Sequence, residues 1–143
     1  MNTLLYLMFA TLPVTPNQES LQTYYGKATW YGEVLQGNYT ASGEIFDCNK
    51  FTAAHKFLPL GTIARVTNLR NNKSVIVKIN DRLPVTSSPF IDLSKATARE
   101  LEFLKMGRTD IRLDVLETPE VRKQRLTMLL PEELRSKATK RKS

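Results

Sequence analysis

The chain has 143 residues, enough for one domain of ordinary size and too few for two. Its 41% hydrophobic and 24% charged residues match a soluble globular protein, and its net charge of +7 favours an acidic polymer as partner: nucleic acid, anionic lipid or an anionic wall glycan. A single cysteine, Cys48, excludes an internal disulfide, and one Cys with one His, His55, excludes a Cys/His zinc site, so no metal is expected.

Residues 1–23 read as a signal peptide and linker. Leu4 to Leu12 is apolar, too short to span a bilayer, and followed by a polar, Pro-containing stretch. Export is therefore expected, and no other segment is apolar enough to cross a membrane. From Tyr24 the chain turns to short strands separated by Gly, Asn and Pro. "GKATWYG" predicts a strand, and "QGNYTASGEIFD" is rich in loop formers. "TIARVTNL" and "SVIVKIND" predict a hairpin turning at Asn71-Asn72. In the second of these strands Val75, Val77 and Ile79 share a face; Asp81 falls on the same parity, aimed at the barrel or cleft side if the strand stays regular. "DLSKATARELEFLKMG" predicts a helix capped by Ser94, with Ala98, Leu101 and Leu104 on one face and Gly107 as its stop. "DIRLDVL" predicts a closing strand with Ile111, Leu113 and Val115 inward. Many short strands with one helix suggest a small closed barrel over residues 24–116.

Residues 117–143 form a basic extension with eight basic and four acidic side chains. Two Pro-initiated helical starts are expected there, with "LTMLL" docking on the barrel and "SKATKRKS" disordered.

The polar residues that stand out are Glu44, Asp47, His55, Asp81, Arg82 and Asp92. Cleaving a glycosidic bond needs a carboxyl group that can protonate the leaving oxygen. Asp81, at the end of an apolar strand, is the best-placed carboxyl, although Arg82 beside it would favour the ionised form. Taken alone, Asp81-Arg82 reads equally as a turn with a surface ion pair, His55 as a half-buried side chain, and Glu44 as a solvated loop acid. Trp30 and Tyr31 alternate faces, which offers one to the core and one to a ligand. Cys48 reads as a small packing residue.

"GKATWYG", "YTASGEIFD", "FTAAHKFLPLGTIARVTNL", "SVIVKINDRLP" and "FIDLSKATARELEF" follow one another at short spacing. In this order they resemble the rare lipoprotein A (RlpA-like) family of septal lytic transglycosylases, from about Tyr24 to Leu116. The resemblance implies a mainly β fold, a six-stranded double-psi β-barrel with one or two short helices. It also implies endolytic cleavage of peptide-poor peptidoglycan strands between N-acetylmuramic acid and N-acetylglucosamine. The muramic acid C6 hydroxyl attacks its own anomeric carbon and leaves a 1,6-anhydro end. By position, Asp81 is the expected general acid and then base, with His55 and Glu44 as supporting polar residues of the cleft. Glu44 would raise the Asp81 pKa by like charge or bind a hydroxyl. Tyr31, Thr40, Asn80 and Arg82 are the expected substrate-binding residues. The expected partner is the glycan strand, met by a monomer in the periplasm or cell envelope, with no cofactor, no nucleic acid, no transmembrane segment and no N-terminal lipid anchor. One departure stands out. Leu83 occupies a position where the family usually has Gly, with the expected effect of narrowing the cleft or re-aiming Asp81. The alternatives are an expansin-like barrel that binds glycan without cutting it and, ranked lower, a basic nucleic-acid or partner-binding module.

Overall fold

A computed structural model describes residues 19–140; the apolar run at Leu4–Leu12 and the last three residues lie outside them. Six strands form the molecule's centre: β1 (Gln22–Trp30), β2 (Thr52–His55), β3 (Ile63–Asn68), β4 (Ser74–Arg82), β5 (Ile91–Leu93) and β6 (Arg108–Glu117). They close in the order β1-β5-β2-β4-β3-β6, a double-psi barrel. β1/β5 and β2/β4 pair in parallel, and the other contacts are antiparallel. Closure leaves no ladder edge exposed.

The interior is narrow, and the sequence fits it. Ala28, Ala53 and Ala64 take inward positions among Val66, Val77, Ile79, Ile91, Leu93, Ile111 and Leu113. Small side chains between large ones let six strands approach closely. Each buried Val, Leu or Ile contributes roughly 1.5–3 kcal/mol. Ile111, Leu113 and Val115 all face this core, as their alternation predicts. β1 already runs from Gln22, so the last two residues of the expected linker are strand. It also runs through Gly26, where a Cβ would sit 2.6 Å from Phe90.

The Asn71-Asn72 hairpin is present, and Asn72 takes the left-handed conformation at φ 58° that the turn needs. Ser94 caps α1 (Lys95–Glu100) as expected, accepting from Thr97 N. The helix is shorter than predicted, because the chain leaves it before Gly107. Glu102 takes φ 58°, its N–H bonds Arg99 O, and Phe103 N bonds Ala98 O at 3.1 Å. This is a Schellman ending, made here without glycine. Burial of Leu101 and Phe103 fixes the chain's exit.

The basic extension folds as two helices, α2 (Pro119–Leu129) and α3 (Glu132–Lys140). The two helical starts expected in the extension are both present, in addition to the barrel's own helix, and Ser136–Lys140 is helical, not disordered. Pro119 opens α2 behind its N-cap Thr118. The "LTMLL" patch does not anchor it, since no α2 residue is buried and Met128 is exposed. Charge anchors it instead. The buried Glu117 carboxylate receives Arg122 Nε at 2.6 Å and Arg125 Nη2 at 2.8 Å, and Arg122 Nη2 also donates to Gly61 O. None of the described helices is long and apolar enough to cross a membrane.

Candidate active site

The decisive feature of β4 is a bulge. Ala53 pairs with Ile79 but Ala54 pairs with Asp81, so Asn80 is an extra residue against β2. Val77 and Ile79 point into the core, and regular alternation would send Asp81 the same way. The bulge resets the phase. Asp81 therefore shares the outer face with Ala54, which corrects the parity read from the sequence. Isolating a carboxylate inside a barrel of this width would be prohibitively costly, whereas the outer face keeps it half-exposed.

On that face the ladder lines up four residues. Asp81 faces Ala54, Ala54 faces Asp92, and Asp92 faces Thr29. Two carboxyls thus flank one alanine, their Cα atoms roughly 10 Å apart, two strand spacings. Asp81 Oδ1 accepts from Ala41 N at 3.0 Å and from its neighbour's amide, Arg82 N, at 2.9 Å. Asp92 Oδ1 accepts from the Thr29 hydroxyl at 2.9 Å. Burial pushes the Asp92 carboxyl above its ordinary value and the charge of Asp81 adds to this, against the opposing Thr29 bond. Sequence reading noted Asp92 but gave it no role. Its partner lies two strands away, and only the barrel's ladder brings the two together.

Tyr31 sits by both acids. Its N–H bonds Leu93 O, its ring meets Phe46 at 4.8 Å, and its hydroxyl lies buried next to Thr52. Neither hydroxyl makes a hydrogen bond of good geometry among the described residues. Burial raises the Tyr31 pKa, and the charges of Asp81 and Asp92 raise it further. The phenol is thus held neutral close to two carboxyls, with its oxygen buried beneath the face that carries them.

The other expected site residues form the frame. Glu44 and Thr40 belong to a short ribbon closed by the Tyr39–Ile45 bridge, which Ser42 N ties to Asn80 O at 3.1 Å. The Thr40 hydroxyl is spent inside that ribbon, on Ser42 Oγ and Glu44 O. Glu44 bonds Lys78 Nζ at 2.7 Å, and this ammonium, with Asn80 beside it, holds the carboxyl below the usual range. Glu44 is therefore paired with a cation and is not set to act on Asp81 as a bare like charge. Asn80 is buried in the bulge, its Oδ1 without a partner among the described residues.

His55 does not line the cleft. It faces inward at the barrel's end and is fully buried, its ring perpendicular to those of Phe57 and Phe90. Nδ1 accepts from Phe57 N at 3.2 Å and Leu58 N at 3.1 Å, so the proton of the neutral ring sits on Nε2. Burial first, then the charges of Arg82 and Lys56, push its pKa down to about 4. The turn it holds presents two carbonyls to Arg82, whose Nη1 donates to Leu58 O at 2.6 Å and His55 O at 3.3 Å. Leu83 N bonds the same His55 O. His55 and Arg82 thus brace the strand end carrying Asp81. Leu83 is not in the left-handed region, which among the described non-glycine residues holds only Asn72 and Glu102, so its backbone needs no glycine.

Comparison with known proteins places this geometry. The family model described as lytic transglycolase matches residues 23–113. The endolytic peptidoglycan transglycosylase RlpA of Neisseria meningitidis is 46% identical over 98 residues, 68% of this chain and 41% of the relative. Those of Campylobacter jejuni and Vibrio cholerae are 44% and 43% identical over 95 and 94 residues, each 66% of this chain and 34% and 36% of the relative. The chain thus spans well under half the length of the curated relatives it matches. Among solved structures, Streptomyces papain inhibitor aligns with a TM-score of 0.56 at 23% identity, over 71% of this chain and all of the inhibitor. An expansin from Clavibacter michiganensis aligns at 0.55 and 23%, over 68% of this chain and 52% of the expansin. Both of these likenesses concern the fold alone. Spanning the barrel from β1 into β6, the family match establishes that the chain belongs to the lytic transglycolase family.

Proposed function

We propose that this barrel is an endolytic lytic transglycosylase acting on peptide-poor peptidoglycan strands. The observation that carries the reading is the row Asp81–Ala54–Asp92: two carboxyls across a small residue on an open face, one of them pushed toward its protonated form. Asp92 donates its proton to the leaving N-acetylglucosamine O4 as the bond to muramic acid C1 breaks. The C6 hydroxyl of the same muramic acid forms the new bond to C1, and its proton passes to Asp81. An intramolecular nucleophile needs no activated water, so two groups suffice. This narrows the sequence expectation, in which Asp81 made both transfers. The neutral Tyr31 phenol, buried beside the acids, supports this face from beneath. His55, Arg82, Thr40 and Asn80 hold the frame, and Glu44 with Lys78 forms a charged rim. A wall substrate places the chain in the cell envelope.

The test is mass spectrometry of products from denuded peptidoglycan. Wild type should release 1,6-anhydro ends, and Asp81→Asn should release at least 100-fold fewer. A wild type that binds glycan but releases none would instead make this an expansin-like binding barrel.

A further inference from the structure

The bulge at Asn80 does more than expose Asp81. It puts Asp81 on the face of β4 that already carries Ile76 and Lys78, since Lys78 pairs with the outward Thr52 and Ile76 with Arg65. The outer face of β4 is therefore continuous from Ser74 to Asp81, roughly 20 Å along the strand. At its far end lies an open groove of about 440 Å³, lined by Phe51, Arg65, Ser74, Val75, Ile76 and Glu100. That volume falls within the range of small-molecule sites.

The lining is mixed in a particular way. Phe51 is 45% exposed although it is tied to β4, its carbonyl accepting from Lys78 N at 3.1 Å. Ile76 adds a second apolar surface. Around them stand the Ser74 hydroxyl, the Glu100 carboxylate and Arg65, whose guanidinium is fixed by the buried Asp114 at 3.1 Å. An apolar floor with hydrogen-bonding groups at its margin suits a pyranose, which has C–H faces and hydroxyl edges. The Lys78–Glu44 pair lies between this groove and Asp81 on the same strand face, offering a donor and an acceptor along the way.

We propose that the Phe51 groove is a second sugar-binding subsite, holding a pyranose of the same glycan strand that is cut at Asp81. The identity of the ligand rests on the cleavage reading above. The consequence is a length preference: strands long enough to reach from Asp81 to Phe51 bind better than short ones.

The experiment measures binding of peptide-free glycan strands of graded length to Asp81→Asn protein, with and without Phe51→Ala. Phe51→Ala should weaken long-strand binding about five- to tenfold, the scale of one lost aromatic contact, and flatten the dependence on length. Phe51→Trp should keep it. Ser74→Ala, at an exposed position of the same groove, serves as a second variant expected to weaken long strands without changing charge, and thermal unfolding checks that each variant folds. Unchanged long-strand affinity in both Phe51→Ala and Ser74→Ala overturns the subsite. The two readings fail separately. A wild type that releases no anhydro ends, while Phe51→Ala still weakens long-strand binding, sinks the cleavage reading and supports the subsite. A wild type that cleaves, with Phe51→Ala and Ser74→Ala unaffected in binding, does the opposite.

Discussion

His55 makes a sharp prediction because the chain has no other histidine. Its Nδ1 must stay unprotonated to accept from Phe57 N and Leu58 N. Folding lowers its pKa from 6.5 to about 4. The unfolded chain therefore takes up this proton near pH 6.5, whereas the folded chain resists it until about pH 4. The resulting stability is fully present above pH 6.5 and is lost as pH falls to about 4. At 1.36 kcal/mol per unit, the loss amounts to about 3 kcal/mol at most. Urea midpoints measured at half-unit steps between pH 7 and 4 should fall accordingly, and His55→Gln, which cannot titrate, should flatten that slope. The imidazole Hε1 resonance, unique in the spectrum, should stay at its neutral position down to about pH 4.5. Carboxylates held low by cations, such as Glu44 and Asp110, begin to lose their contribution only as pH falls through their unfolded values of 4.5 and 3.8, at the acid end of this range. A native resonance that titrates near 6.5, or an unaltered slope in His55→Gln, would refute the assignment of Nδ1 as a buried acceptor.

Asp92→Asn should lower kcat by about 10²–10⁴ and remove the alkaline limb of the pH–rate profile, because the lost group is the proton donor. Burial raises the Asp92 pKa, so its charge costs stability as pH rises, and the same variant should melt higher than wild type at pH 7 in calorimetry. Replacing both Arg122 and Arg125 by Ala leaves the Glu117 carboxylate buried without its cations. Denaturant titration should show a loss of about 3–5 kcal/mol, and a loss under 1 kcal/mol would mean that α2 leaves the barrel and hydrates Glu117. Leu83→Gly should not stabilise the protein, since Leu83 has no left-handed strain to relieve; the expected change is a loss of about 0.5–1 kcal/mol from chain entropy, read by thermal unfolding.

Much of the barrel could be read locally. The alternation in "DIRLDVL", the Asn71-Asn72 turn and the Ser94 cap each rest on a few adjacent residues, and each is found where its local signal lies. What escaped depends on distant partners. The period-two reading of β4 assumes an unbroken ladder, and nothing in "KINDR" announces that Asn80 stands opposite a gap in β2. Asp92 gained its role only when Ala54 came to lie between it and Asp81. His55, read locally as a half-buried side chain and placed in the cleft only by the family resemblance, is instead closed over by Phe57 and Phe90. The end of α1 was misplaced because Glu is an improbable residue for a left-handed position, and burial of Phe103 outweighs that preference.

The extra residue in β4 also separates two kinds of selective pressure. Residues before it answer to the core: a change at Val77 or Ile79 is judged by volume. Residues after it answer to solvent and ligand: a change at Asp81 meets no core side chain, while Arg82 and Leu83 reach inward only as far as the carbonyls of the His55–Leu58 turn. One inserted residue thus acts as a firebreak, behind which the chemistry of the strand's end can drift or be redesigned while the barrel stays folded.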